Sequence, residues 1–188
     1  MHVANQKTQL ILSMALLTLL LATRGYHFAS AFSLPSASWA VFFLAGFYLR
    51  TVWFFYLLFF VCVGIDLYGN ITSNSPLLCL TPAYSLLLPA YGVLWMAGRY
   101  ANQQRQKGRY VWPLISSVLL SAMLSEIISS GGYYLFSGHF AEPTFQEFAA
   151  RLTKFFPQQF ANLVFWLAIT ALVHGLLTYR YSAKSAKV

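Results

Sequence analysis

Five side chains of this sequence are of types that do chemistry, in a chain otherwise poor in polar groups: Cys79, Asp66, His27, Tyr84 and Arg151. Cys79 stands in "SPLLCLTPAY". Thr81 is placed to cap a helix that Pro82 opens, which sets the thiol two residues outside a helix N-terminus. Partial positive charge there favours the thiolate, the form that binds soft metals and attacks electrophiles. A free cysteine also serves as a small buried hydrophobe, and both roles stay open on this evidence. Asp66 is the one acid in its apolar run, where an ionisable group is costly and marks a functional site, a position shallow enough to be solvated, or a structural pair with Arg24. His27, in "RGYHFAS", suits a metal ligand, a polar contact or an interfacial residue. Tyr84 follows Pro82 by two positions, so its hydroxyl can point toward the outer mouth of a membrane bundle, although tyrosine is also common at membrane interfaces. Arg151 and Lys154 lie in a loop rich in Phe and Gln, where either grips an anion or rests at lipid headgroups.

Other polar residues suggest packing. Cys62 in "FVCVGI" has no special setting. Ser117, Ser121 and Ser125 recur every fourth residue, a spacing that lets helices approach, with Glu126 as a buried partner. His174 suits a structural role. Two cysteines make no disulfide framework and have no metal-type spacing with the histidines. There is no repeat, no low-complexity tract and no phosphate-cradling glycine loop.

The elements that must hold these residues follow from composition. Only 9% of the 188 residues are charged and 59% are hydrophobic, far from the roughly 25% charged of soluble domains. The net charge of +8 would suit nucleic acid in a soluble chain, but the basic residues flank apolar runs instead of lining one face, so no nucleic-acid partner is expected. A span needs about 20 mostly apolar residues. Six candidates occur, at 8–23, 36–49, 51–69, 82–98, 111–130 and 157–179, within a single domain over 1–188. Pro35, Pro82, Pro113 and Pro157 stand near their starts, where a missing N–H costs nothing. Lys7, the run Leu10–Ala22 and Ala29-Ser30-Ala31 also suit a cleavable signal peptide; the run is read here as a first membrane helix.

The run 36–69 is broken only at Arg50-Thr51 and forms either one long helix or a hairpin. The positive-inside rule favours the hairpin. Six spans with both termini cytoplasmic put Lys7, Arg50, Arg99, Arg105, Lys107, Arg109, Arg180, Lys184 and Lys187 inside, against Arg24, Arg151 and Lys154 outside. A five-span plan would move "RYANQQRQKGRY" outside. The fold class expected is therefore an all-α integral membrane protein of six transmembrane helices, with its unusual polar residues converging on the outer face.

With these features, "RGYHFASAFSLPSASWAVFFLAGFYLR", "CVGIDL" and "CLTPAYSLLLPAYG" resemble the solitary cobalamin transporters of the BtuM type, related to the S-components of energy-coupling-factor vitamin transporters. The likeness covers essentially the whole chain. It implies an S-component-like bundle in the bacterial cytoplasmic membrane and cobalamin (vitamin B12) as ligand, with no other cofactor. It also implies Cys79 as ligand to the cobalt of base-off cobalamin on the periplasmic side, and removal of cyanide from cyanocobalamin. His27, Asp66, Tyr84 and Arg151 would then surround the corrin amides and the nucleotide phosphate. Where S-components that dock onto a shared motor carry Ala-x-x-x-Ala in the first helix, this chain has Thr18-x-x-x-Ala22, which suits a protein working alone or one whose docking surface has drifted. The partner expected besides cobalamin and membrane lipids is an energy-coupling-factor motor module or none. The rival expectations are a membrane-embedded thiol enzyme without transport, an S-component for another vitamin, and an accessory subunit.

Overall fold

The computed structural model describes residues 6–24, 34–49, 51–72, 82–138, 140 and 144–185. These form six α-helices: α1 (Gln6–Arg24), α2 (Ser38–Tyr48), α3 (Trp53–Thr72), α4 (Leu87–Gln106), α5 (Val111–Phe136) and α6 (Phe145–Ser185), with a 3-10 turn, Pro82–Leu86, leading into α4. There is no strand among the described residues. Three helices are long and apolar enough to cross a membrane: α1, α5, and α6 over Phe145–Tyr179. The long apolar run divides as the hairpin requires, since Leu49 leaves helical geometry at φ −99°, ψ 141° and α3 restarts at Trp53.

The centre of the bundle is α2. Eleven residues make it only about 17 Å long, and every residue from Ser38 to Phe47 is buried. Its tightest partner is α4, and glycine sets that approach. A Cβ on Gly46 would strike the backbone carbonyl of Trp95, and one on Gly98 would strike that of Phe43. The two helices thus meet backbone to backbone, the geometry that small residues permit. Next to this crossing Phe42 stacks on Tyr91, with centroids 4.3 Å apart, and meets Phe55 edge-on at 5.6 Å. Cys62, 1% exposed, completes the same core as an apolar filler.

Cross-helix contacts fix the two ends of the bundle. At one end Thr23 Oγ1 accepts from the Ala37 N–H, and the Trp166 indole donates to the Pro35 carbonyl at 2.9 Å. At the other, the Gln9 amide donates to the Tyr48 carbonyl and Tyr48 faces His174. So α1 runs antiparallel to α2, while α6 runs parallel to it.

Three boundaries differ from the expectation, each for a local reason. Pro82 does not open the α-helix. An α-helix starting there would need Pro89 to donate to the Ser85 carbonyl, and Pro89 has no N–H. The chain makes a 3-10 turn first, and α4 begins at Leu87, so that Pro89 falls in its first turn. Most of "RYANQQRQKGRY" is helical, because its Gln, Arg and Ala residues are good helix formers. Gly108, at φ 79°, ends that helix and leaves a turn of four residues. Finally, Arg151 and Lys154 belong to α6 rather than to a loop. That helix starts at Phe145 because Thr144 caps it, its Oγ1 accepting from the Glu147 N–H at 3.3 Å. Pro157 then lies inside the helix instead of at its start.

Candidate functional site

The densest polar cluster lies at the Thr23–Pro35 end and is organised by the Arg24 guanidinium. Its Nε donates to Asp66 Oδ1 at 3.0 Å and its Nη2 to Asp66 Oδ2 at 2.6 Å, a bidentate pair. Nη1 reaches Ser38 Oγ at 3.0 Å and the Tyr91 hydroxyl at 2.8 Å. The Tyr84 hydroxyl donates to Asp66 Oδ2 at 2.8 Å. One guanidinium therefore engages four of its five N–H groups. The network joins α1, α2, α3, the 3-10 turn and α4.

Each element brings its residue by simple geometry. Arg24 is the last residue of α1, and Ser38 the first of α2. Tyr84 and Tyr91 are seven positions apart, two helical turns, and therefore point to the same side. The pair is largely enclosed, with side chains 10% exposed for Arg24 and 22% for Asp66. Charges so enclosed need partners, and a planar fork on a carboxylate is the strongest arrangement the two side chains can make. Both Asp66 oxygens are occupied, so the carboxylate is a fixed acceptor and not an idle base. Asp66 and Tyr84 are each only partly buried.

Of the residues expected at a site, Asp66 and Tyr84 are in direct contact, and the Arg24–Asp66 pair is formed. His27 and Cys79 lie outside the described residues, as does Thr81. Arg151 is elsewhere: it precedes Trp166 by fifteen residues on α6, about 22 Å of helix. Its guanidinium rests over Phe140 at 4.8 Å and Phe155 at 5.5 Å. Beside it the Tyr134 hydroxyl donates to Glu147 Oε2 at 2.8 Å and accepts from the Thr144 N–H at 2.8 Å. Ser38 and Tyr91 were not foreseen; the seven-residue spacing of the two tyrosines was the available signal for Tyr91.

The serine row behaves as packing. Ser117 and Ser121 are buried and donate to the carbonyls of Leu114 and Val118. Glu126, 4% exposed, takes a hydrogen bond from Ser130 and borders a cleft of about 320 Å³ between α5 and α6. A second cleft of about 220 Å³, lined by Tyr134, Thr144 and Phe148 among others, lies between the same helices. Neither is lined by Arg24, Asp66 or Tyr84. No protein-family model matches this chain, and no curated protein matches it.

Proposed function

We propose that this chain is an integral membrane protein of the bacterial cytoplasmic membrane that binds cobalamin on its periplasmic face and carries it inward. Its termini would be cytoplasmic. Support comes from the three long apolar helices, the charge distribution and the likeness to BtuM-type transporters. The observation that carries it is the Tyr84–Asp66–Arg24 contact. His27 follows Arg24 by three residues and Cys79 precedes Tyr84 by five, so the covalent chain limits how far either can lie from that cluster. Two residues that the likeness assigns to one corrinoid site, Asp66 and Tyr84, thus meet at one end of the bundle, and His27 and Cys79 are near to members of that cluster in sequence.

The chemistry is ligand exchange. The Cys79 thiolate, a soft donor, takes an axial position on the cobalt of base-off cobalamin. On cyanocobalamin a Co–S bond forms as the Co–CN bond breaks, and cyanide leaves as the anion with no net change in oxidation state. Asp66, fixed by Arg24 and Tyr84, offers acceptor character to corrin amides. By the likeness Arg151 would grip the nucleotide phosphate, at the far end of the ligand from the Arg24 cluster, where it is set over two aromatic rings.

The test is direct. Protein purified from cells supplied with cobalamin should carry a red corrinoid, and vesicles containing it should accumulate the vitamin. Arg151→Ala should weaken cobalamin binding by about 1.5–3 kcal/mol, the scale of a charge-assisted hydrogen bond. It should leave cobinamide, which lacks the nucleotide, nearly unaffected. Colourless protein and vesicles that accumulate nothing would overturn the proposal.

A further inference from the structure

The end of the bundle opposite the Arg24 cluster carries a compact cationic turn between α4 and α5. Gly108, at φ 79°, folds the chain back so that the N–H groups of Lys107 and Arg109 both reach the Gln104 carbonyl, at 3.0 and 3.1 Å. Three cations, Arg105, Lys107 and Arg109, thereby share one tight turn. Arg105 is held in place from two sides, over the Phe47 ring at 5.8 Å and the Tyr110 ring at 5.6 Å. Lys107 and Arg109 are exposed.

Among the described residues no carboxylate pairs with them. The sequence has no acid between Asp66 and Glu126, and Glu126 lies fifteen residues into α5, about 22 Å from its start. Around the turn stand large exposed aromatics: Trp112 (80%), Trp53 (79%), Tyr100 and Tyr110. Trp53 belongs to the same end, since α3 starts there beside the end of α2 that carries Phe47. Amphipathic rings in a belt beside unneutralised cations are the combination that settles at a bilayer's headgroup level, and basic clusters there attract anionic lipid.

We infer that the Arg105–Lys107–Arg109 turn is a seat for the phosphate headgroups of anionic phospholipid, with Trp53, Tyr110 and Trp112 resting in the surrounding interface. The inference rests on the membrane placement proposed above and adds a lipid preference to it. The cations supply the attraction, and the turn, fixed by its backbone hydrogen bonds and by the rings around Arg105, supplies the preorganisation.

The experiment uses the full chain in a nonionic micelle, titrated with short-chain phosphatidylglycerol or phosphatidylcholine, and counts retained lipid by native mass spectrometry. The unaltered protein should retain phosphatidylglycerol preferentially. The double variant Lys107→Gln/Arg109→Gln should lower that retention at least about fivefold, since each basic residue at a membrane surface contributes on the order of a factor of five. Phosphatidylcholine retention should not change. Arg151→Gln/Lys154→Gln, which removes two cations from the other end, should keep the preference. Circular dichroism and cobalamin binding of each variant report folding and the vitamin site separately, so loss of one property is distinguishable from loss of the other. Equal retention of both lipids by the unaltered protein, equal losses in the two double variants, or displacement of the lipid by an equal concentration of inorganic phosphate would overturn the inference.

Discussion

The two ends of the bundle treat charge in opposite ways. At the first, Arg24 is almost enclosed and its guanidinium is answered within the chain by Asp66, Ser38 and Tyr91. At the second, Arg105, Lys107 and Arg109 meet aromatic faces or solvent, with no carboxylate among the described residues at that end. Physical cost explains the contrast: an enclosed charge must be paired in the fold, whereas an exposed one can take its partner from the surroundings. The first end is therefore a built structure that strapped five elements together, and the second is a surface waiting on what lies outside.

The largest expected effect concerns which side each end faces. In a background of Cys62→Ser and Cys79→Ser, a cysteine at Gln146 should react with an impermeant thiol reagent added outside intact cells, and one at Lys107 should not. Labelling of the Lys107→Cys protein from outside would reverse the orientation and dissolve the contrast. Next in size is the ion pair itself. Arg24→Met leaves the Asp66 carboxylate enclosed and uncompensated, which should cost about 3 kcal/mol in chemical denaturation. Adding Asp66→Leu should recover much of that loss; a double variant no better than the single would mean that Arg24 acts through packing alone. Tyr84→Phe removes one of the two donors on Asp66 Oδ2 and should cost about 1 kcal/mol. Smallest is Lys107→Ala, which should change stability by less than about 0.5 kcal/mol, as exposed substitutions away from special features do. A loss there as large as that of Arg24→Met would show that the second end is also internally built.

Much of this arrangement could be read before any coordinates. The six helices and the break near Arg50-Thr51 follow from apolar runs and their interruption, and the Arg24–Asp66 pair is among the roles that an acid in an apolar run suggests. The misplaced boundaries came from signals weighed too lightly. Pro82 looks like a helix start, but Pro89, seven residues on, imposes the actual one. Pro157 looks like a start as well, but Thr144-x-x-Glu147 is the capping pattern that opens α6 at Phe145. What no periodicity could supply is α2: an apolar run of that length fits a lipid-facing helix as well as an enclosed one. Its burial depends on Gly46 lying against the Trp95 carbonyl and Gly98 against the Phe43 carbonyl, contacts between α2 and α4 at positions far apart in the chain.

The proposal that this first end serves a corrinoid is tested most directly by an absorbance scan of cyanocobalamin mixed with purified protein and with two cysteine variants. With Cys79 present, the visible spectrum should shift as sulfur replaces cyanide on cobalt, and free cyanide should appear. Cys79→Ser exchanges a soft donor for a neutral hydroxyl of nearly the same size, so the shift and the cyanide release should both vanish, while contacts to amides and phosphate retain some vitamin. Cys62→Ser, which alters a buried core position, should behave like the unaltered protein once folded. Undiminished cyanide release from Cys79→Ser would contradict the cobalt–thiolate bond and with it the proposed chemistry of the site.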